Sequence, residues 1–177
     1  IYNEQKAYQK AFDVLTDALV EYKDNRDLLY TRALIAEKLD KLDLLEKDLK
    51  KILLKFPEDV SALNALGYTL VDRTERYQEA ETYLRLAIKL KPEEAVIIDS
   101  VGWLLFKQGK LEEAVKTLRR AYDKQKESEI AAHYAEVLWL LGDRDEAKDV
   151  FKDAIEKAPE DEYLLKFKQR FLQQNNR

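Results

Sequence analysis

The chain has 177 residues, 46% of them hydrophobic and 37% charged, with only four Gly and three Pro. This composition is too apolar for a disordered chain and too poor in turn residues for a β-sandwich, and it favours long helices with solvated outer faces. The net charge of -4 opposes binding to nucleic acid, and the absence of Cys excludes disulfides and thiol catalysis.

Two further features concern the membrane and the start of the chain. No apolar run approaches the roughly 20 residues that span a bilayer, so we expect no direct membrane insertion by this fragment. The sequence starts at Ile1 without a Met or a signal peptide. This start predicts a processed or trimmed piece whose targeting segment lies upstream.

The first predicted helix covers residues 4–24 and carries Ala11, Leu15 and Ala18 on one stripe at helical spacing. No partner helix precedes it in the sequence, so we expect this apolar stripe to be incompletely covered. The chain is therefore predicted to be a monomer or to self-associate weakly through this helix.

The same stripe recurs along the chain, with a spacing of four and then three residues. Successive copies begin 34, 35, 34 and 33 residues apart, counted from Ala11. A period of this size predicts an array of helical repeats. The later copies of the stripe are Leu45, Leu49 and Ile52; Ala80, Leu84 and Ala87; Ala114, Leu118 and Ala121; and Ala147, Phe151 and Ala154.

Proline and capping residues mark the boundaries between the copies. Pro57, Pro92 and Pro159 each lie five residues after the last stripe position and are followed by two acidic residues. Proline ends the preceding helix, and the acids suit the positive N-terminal dipole of the next one. Asn25 and Ser128 are predicted to cap the helices at the two boundaries that lack Pro.

Each repeat is therefore predicted to consist of a helix A, a short turn and a helix B. The repeats span 26–59, 60–94, 95–127 and 128–161, and an extra residue in the second predicts a longer turn between its helices. Helix A is expected over 26–39, 60–73, 95–107 and 128–140. Helix B is expected over 42–56, 77–90, 111–124 and 144–157.

A capping helix is predicted to close the array over residues 162–174. Its sequence is amphipathic, because Leu164, Phe167 and Phe171 share one face. The basic residues Lys166, Lys168 and Arg170 are expected to face water. A polar cap of this kind is what a helical array requires at its end.

Small residues complete the pattern on helix A, with Gly67 and Gly102 in two repeats and Ala33 and Ala135 in the others. A 34-residue helix–turn–helix unit with these small positions resembles the tetratricopeptide repeat (TPR). The resemblance covers nearly the whole chain and implies an all-α, right-handed α-solenoid of about ten helices. The positions expected to hold the frame are Gly67, Ala80, Ala87, Pro92, Gly102, Ala114, Ala121, Ala147, Ala154 and Pro159.

Three strings resemble a narrower group, the proteobacterial TPR outer-membrane lipoproteins. They are LNALGYTLVDRT (63–74), IDSVGWLLF (98–106) and AAHYAEVLWLLG (131–142). In that group the arrays are adaptors that bind a periplasmic carboxyl-terminal processing protease and deliver cell-wall hydrolases to it. The resemblance implies a location on the periplasmic side of the outer membrane, with the lipid anchor outside this fragment. The alternatives are a cytoplasmic TPR assembly or chaperone module and a regulatory array cut from a larger enzyme.

The sequence offers no credible catalytic set. Ser128 and the single His, His133, lie five residues apart on one predicted helix and project to different faces, which argues against a Ser–His–Asp arrangement. No Gly-rich phosphate loop and no metal-ligand spacing is present. We expect a non-catalytic protein without cofactor or metal, in which His133 packs or forms a hydrogen bond within helix A.

Partner binding is expected on the concave face, which the A helices line in arrays of this kind. The predicted groove residues are Tyr30, Leu34, Asn64, Tyr68, Val71, Asp99, Trp103, Phe106, Glu136 and Trp139. The same helical positions include Asp27, Glu37, Ser61, Val96, Glu129 and Ala132. The aromatic members suit a contact surface for a protein or peptide, although they could instead fill space between repeats.

The expected ligand follows from the groove's composition. TPR domains that clamp a terminal carboxylate carry Lys and Asn where this chain has Tyr30, Leu34, Asn64 and Tyr68, so a carboxylate clamp is not expected. We predict an extended or helical apolar segment whose basic residues meet Asp99 and Glu136.

Overall fold

The computed structural model describes residues 2–173, with side chains from Glu4 onward. This part of the chain is entirely helical apart from its turns, which confirms the all-α prediction. The helices are α1 (Tyr2–Glu21), α2 (Arg26–Lys38), α3 (Leu42–Lys55), α4 (Val60–Arg73), α5 (Tyr77–Leu90), α6 (Ala95–Lys107), α7 (Leu111–Lys124), α8 (Ser128–Leu141), α9 (Arg144–Ile155) and α10 (Glu162–Phe167), with a π-helical turn at Lys168–Leu172. The A helices are α2, α4, α6 and α8, and the B helices are α3, α5, α7 and α9.

Side-chain caps begin several of these helices. The Asn25 carboxamide oxygen accepts hydrogen bonds from the backbone N–H groups of Asp27 and Leu28, both at 3.0 Å, as predicted. Asp59 caps α4 in the same way, and Asp161 caps α10. The prediction that Ser128 is a cap is wrong, because Ser128 is already the first helical residue and Glu127 precedes it without a side-chain bond.

The turn of the second repeat also differs from the prediction. Residues 74–76 separate α4 from α5, and this turn is as long as those at 39–41 and 108–110. The extra residue instead lengthens α4, where it gains regular helical backbone bonds. Thr74 ends that helix, since its hydroxyl donates to the backbone oxygen of Leu70 at 2.5 Å and accepts from the N–H of Arg76 at 3.1 Å.

The recurring stripe lies at the crossing of helix A and helix B in each repeat. Ala80, Ala87, Ala114 and Ala121 are all fully buried there. A Cβ atom on Gly102 would lie 2.7 Å from two side-chain carbons of Leu118, and one on Gly67 would lie 2.6 Å from Leu84. The two helices therefore cross too closely for a larger residue. The remaining frame alanines, Ala147 and Ala154, are also buried.

The apolar stripe of α1 is less buried than the corresponding stripe of α5. Ala11, Leu15 and Ala18 of α1 remain only partly buried, whereas their counterparts in α5 are at most 1% exposed. Val14 and Val20 of the same helix are 68% and 70% exposed. The helix ends at Glu21, three residues before the predicted boundary.

The array curves toward its A helices. Helix α4 contacts α6, α6 contacts α8, and α8 contacts α10, whereas the described B helices are not in comparable contact with one another. Tighter spacing on the A side makes that side the concave one. Helix α10 continues the row as a fifth A-type helix, packed on α8 and α9.

The C-terminal segment covers the end of the core. Leu164, Phe167 and Phe171 are buried, and Lys166, Lys168 and Arg170 are exposed, as predicted from their spacing. The α-helical part ends at Phe167 and the π-helical turn continues to Leu172. Residue 174, the predicted end of this helix, lies outside the described residues.

Candidate partner-binding groove

The concave face between α4, α6, α8 and α10 forms what we call the central groove. A cavity of about 460 Å³ opens into it. Trp103 and Phe167 supply aromatic walls, His133 lies between the repeats, and Lys107 and Arg170 lie at the rim. A recess of this size, part aromatic and part charged, suits the side chain of a binding partner.

Trp103 is fixed on three sides. Its ring stacks on His133 with centroids 4.0 Å apart and an interplanar angle of 15°. Phe106 lies 4.8 Å from the same ring, and the indole N–H donates to Asp72 at 3.2 Å. The side chain is only 6% exposed, so it forms a rigid wall and also packs between repeats. Trp103 thus packs between repeats and also lines the groove, while its contact with a partner stays a prediction.

Asp99 and His133 form a buried pair beneath the groove. The imidazole Nδ1 lies 2.9 Å from one carboxylate oxygen of Asp99, and both residues are less than 5% exposed. Burial lowers the pKa of His133, but the negative charge of Asp99, with those of Glu129 and Asp72, outweighs it and raises the pKa above its ordinary value. Because Asp99 is already paired, it is not free to meet a ligand. His133 forms a hydrogen bond within the fold, as predicted.

Tyr163 of α10 enters the groove from the C-terminal side. Its ring lies edge-on to His133 at 6.1 Å, while Tyr68 of α4 approaches the same imidazole at 6.0 Å. Burial raises the pKa of both tyrosines, and the nearby charge of Glu129 raises it further. Both hydroxyl groups therefore keep their protons throughout the physiological range.

Three buried oxygen atoms on α4 and α8 have no hydrogen bond of good geometry among the described residues. They are Oδ1 of Asn64, the hydroxyl oxygen of Tyr68 and Oε1 of Glu129, and all three atoms are shielded from solvent. Asn64 lies one helical turn before Tyr68 on α4, and Glu129 lies on α8. The hydroxyl groups of Tyr68 and Tyr163 nevertheless lie close enough to the Glu129 carboxylate to interact with it, so these polar groups partly satisfy one another within the fold.

A bridge joins the two ends of the concave face. The Lys38 ammonium group on α2 donates to Glu162 on α10 at 2.9 Å, and Lys166 approaches the same carboxylate at 3.6 Å. A second cavity of about 440 Å³ lies beside this bridge, lined in part by Glu37 and Asp72. Tyr163 and Lys166 line both cavities and separate them.

The remaining predicted groove residues differ in how exposed each side chain is and in which neighbours it contacts. Leu34 is 39% exposed, Tyr30 is half-buried beneath the Arg26 guanidinium at 4.7 Å, and Glu136 is bonded to Arg170 at 2.5 Å. Val71 is fully buried and offers no surface.

Trp139 packs away from the open groove. It is 9% exposed and lies between Phe167, Phe171 and the Arg144 guanidinium. It therefore anchors the C-terminal segment.

Tyr163 is one of the groove residues that sequence reasoning missed. It occupies the second position of its helix, as do Asp27, Ser61, Val96 and Glu129 in the four A helices. The repeat spacing therefore contains the signal, although the capping character of the last helix hides its groove positions.

Two other kinds of site are absent from residues 2–173. No group of three or more His, Asp or Glu side chains in this part of the chain has an arrangement that could hold a metal ion. Within the same residues, no helix combines the length and the apolar character needed to cross a membrane.

Known protein families include the same repeat that the 34-residue spacing of the sequence predicts. One tetratricopeptide repeat model matches residues 60–94 and another matches residues 105–171, together more than half of the chain. The chain is a tetratricopeptide repeat protein. A TPR repeat-containing protein of Pseudomonas aeruginosa is 43% identical over 134 residues, which cover 76% of this chain and 22% of that relative. The chain thus spans about a fifth of the relative's length.

Solved TPR structures share the fold at lower identity. A thermophilic TPR protein of Thermus thermophilus superposes with a TM-score of 0.79 at 23% identity, covering 94% of this chain and 89% of that one. PilW, a widely conserved type IV pilus biogenesis factor, gives a TM-score of 0.74 at 23% identity, covering 89% and 73% of the respective chains. At this identity the likeness establishes the TPR solenoid fold alone.

Proposed function

We propose that this TPR array is a non-catalytic adaptor that holds a segment of a partner protein in the central groove. The observation that carries the proposal is the cavity of about 460 Å³ on the concave face, which Trp103, His133 and Phe167 line. Concave faces of helical arrays are their usual binding surfaces, and rigid aromatic walls provide contact area at low entropic cost.

Site-specific photo-cross-linking tests where the partner binds. A photoreactive amino acid is placed at Gln169, which is exposed and lines the cavity of the central groove, or at Leu54 on a B helix, which is 85% exposed. A partner held in the groove should be captured from Gln169 and not from Leu54. Equal capture from both positions, or capture from Leu54 alone, would show that the groove is not the binding surface.

We further propose that the array belongs to a bacterial outer-membrane lipoprotein that presents substrates to a periplasmic protease. The support is the resemblance of the strings at 63–74, 98–106 and 131–142, together with 43% identity to a protein of Pseudomonas aeruginosa. On this proposal the partners are a carboxyl-terminal processing protease and the cell-wall hydrolases that it cleaves.

Fractionation of cells that express the full-length natural protein tests this finer assignment. The protein should sediment with the outer membrane and should co-purify with a periplasmic protease after cross-linking. Recovery in the cytoplasm with chaperones would instead identify a cytoplasmic assembly module. A catalytic domain on the same natural chain would identify the regulatory array of an enzyme.

A further inference from the structure

His133 has one ring nitrogen without a hydrogen-bond partner. Its Nδ1 lies 2.9 Å from a carboxylate oxygen of Asp99, and the residue is 4% exposed. Among residues 2–173, no group forms a hydrogen bond with the other ring nitrogen, Nε2. His133 also lines the cavity of about 460 Å³ in the central groove. Because buried polar atoms normally have partners, Nε2 is a group that a ligand in this cavity could complete.

The Asp99 carboxylate decides what Nε2 can bind. An ionised carboxylate only accepts hydrogen bonds, so Nδ1 carries the proton that it donates to Asp99. In the protonated imidazole Nε2 also carries a proton and donates, whereas in the neutral ring it would accept. The negative charges of Asp99, Glu129 and Asp72 raise the pKa of His133 in spite of its burial, which favours the donating form. An anionic acceptor therefore suits this position best.

The cavity walls suit the apolar stem of an acidic side chain. Trp103, Ala132 and Phe167 line the cavity, and each is at most 6% exposed. The Trp103 ring stacks on the His133 imidazole at 4.0 Å, so a group that reaches the imidazole also lies close to the indole. Apolar walls with one well-placed polar group are typical of a site that orients a ligand.

Two lysines near the cavity have donors to spare. Lys107 lies over the Trp103 ring at 5.1 Å and forms no ion pair within the described part of the chain. Lys166 lies 3.6 Å from Glu162, but that carboxylate already accepts a hydrogen bond from Lys38 at 2.9 Å. An ammonium group offers three donors, so both lysines can attract an anionic segment.

The two carboxylates that line the same cavity are already engaged. Glu136 accepts a hydrogen bond from Arg170 at 2.5 Å, and Asp72 accepts one from the Trp103 N–H at 3.2 Å. A basic side chain of a ligand would have to displace Arg170 from Glu136. An acidic side chain would instead complete contacts that are absent.

Resting on the adaptor function proposed above, we infer that the partner segment inserts a Glu or Asp side chain into this cavity, where the carboxylate accepts a hydrogen bond from Nε2 of His133. The stem of that side chain packs against Trp103 and Phe167. Lys107 and Lys166 attract the acidic segment to the rim of the cavity. The ligand thus carries the charge opposite to the one that the sequence predicts.

A display library of random twelve-residue peptides, selected on the whole chain, tests the inference. Selected peptides that cross-link from Gln169 should share a Glu or an Asp. Changing that residue to Gln or Asn should lower the affinity about 10- to 100-fold, as expected for a lost charged hydrogen bond. Amidation of the peptide C-terminus should leave the affinity unchanged. Loss of binding on amidation would make the occupant a terminal carboxylate and would overturn the assignment to a side chain.

The imidazole itself reports whether the acid binds there. His133 is the only histidine of the chain, so NMR of the untagged protein with isotope-labelled histidine shows a single ring. Because the bound carboxylate and the His133 proton stabilise each other, the acidic peptide should raise the pKa of His133. The same peptide should bind less tightly as pH rises through that pKa, whereas its Gln or Asn counterpart should show neither effect.

The neighbours of the imidazole come from four parts of the array. The charged and titratable groups around it and its cavity are Tyr68 and Asp72 of α4; Asp99 and Lys107 of α6; Glu129 and Glu136 of α8; and Tyr163, Lys166 and Arg170 of the C-terminal segment. Histidine is the side chain that ordinarily changes charge between about pH 5 and pH 8. The NMR titration therefore assigns the pH dependence of binding to His133 directly.

Two lysine substitutions test the charge at the rim. Lys107→Gln should weaken the binding of the acidic peptide about 2- to 5-fold, as expected for an exposed ion pair. Lys116→Gln, on the exposed surface of α7, is the matched control and should leave the affinity unchanged. Equal affinity of the two variants would contradict the attraction that the inference requires.

The possible results distinguish the inference from the function on which it rests. Peptides that cross-link from Gln169 without a shared acid, equal affinity for the Gln or Asn counterpart, or an unchanged pKa of His133 would overturn the inference and leave the adaptor function standing. A library that yields no binder, or only binders captured from Leu54, would overturn both.

Discussion

The charge of His133 depends on pH, and its neighbours set the direction of that dependence. Asp99, Glu129 and Asp72 raise the pKa of His133 in the folded state above its unfolded value of about 6.5. The folded state then binds more protons than the unfolded state between those two values. The pair therefore stabilises the fold fully below about pH 6.5, and this contribution is lost as pH rises through the folded pKa.

Replacing His133 with Gln tests this behaviour. Below pH 6.5 the variant should be less stable by about 2 kcal/mol, because the buried Asp99 carboxylate loses a charged partner. Urea titrations at several pH values should show the difference from the wild type shrinking as pH rises. A difference that is constant, or that grows with pH, would mean that the imidazole is not protonated in the fold.

Gly102 has a steric role that a single substitution can isolate. Ala at this position should lower the free energy of unfolding by about 1–2 kcal/mol. The steric overlap destabilises the fold by more than the higher helix propensity of Ala stabilises it. The clash involves Cγ and Cδ2 of Leu118, at 2.7 Å.

A double-mutant cycle provides the control for Gly102. In a Leu118→Ala background those carbons are gone, so Gly102→Ala should become neutral or stabilising. Equal destabilisation in both backgrounds would place the cost in the backbone rather than in the crossing of α6 and α7. Equilibrium unfolding in urea measures all four proteins.

Single residues also show where sequence reasoning stopped. Counting helical positions placed Asp99, Val71 and Trp139 toward the groove, and counting gives the direction of a Cα–Cβ bond well. It does not say which neighbour fills the space beyond. His133 forms a hydrogen bond with the Asp99 carboxylate, and the aromatic rings of the C-terminal segment cover Trp139. These pairings depend on side chains 28 to 34 residues away.

At the scale of helices, prediction from sequence succeeded because local signals agreed with the repeat period. The bounds of α5, α6 and α7 match the predicted ranges, and Pro92 lies at the exposed turn between two of them. The errors fall where two local structures compete. Ser128 can start a helix or cap it, and the residue added in repeat two can lengthen a turn or a helix.

The C-terminal segment is a separable element, and Phe167 holds it. This ring is 2% exposed and lies 5.4 Å from Phe151 and 5.2 Å from Phe171. Phe167→Ala should cost about 3–5 kcal/mol of local packing. Because the segment is short and terminal, we expect it to detach while the four repeats remain folded.

Hydrogen exchange checks the Phe167 prediction. Backbone amides of residues 162–172 should lose protection, and those of α2 to α7 should keep theirs. Leu165→Ala is the control, since Leu165 is 42% exposed on the same helix. Loss of protection throughout the array would show that the segment supports the whole fold.

The whole molecule is an array in which each repeat depends mainly on its neighbours. Ala121 is fully buried at the crossing within repeat three, and Leu at this position should cost about 1–3 kcal/mol through overpacking. In such arrays the damage stays near its source. Hydrogen exchange should therefore increase in α6 to α8 and change little in α2 and α3.

A Leu placed on the exposed surface of the same helix, at Lys116, controls for the change in hydrophobicity. It should leave exchange and stability nearly unchanged. An even increase over all repeats of the Ala121→Leu variant would contradict nearest-neighbour behaviour and indicate a single cooperative unit.

The bridge between Lys38 and Glu162 has a consequence for the order of folding. The two residues are 124 positions apart, whereas the contacts that pair the helices of each repeat are local in sequence. Local contacts form early because they close short loops, and a contact of this separation forms only when the intervening repeats have stacked. We therefore expect the Lys38–Glu162 contact to form only after the repeats between α2 and α10 have folded and stacked.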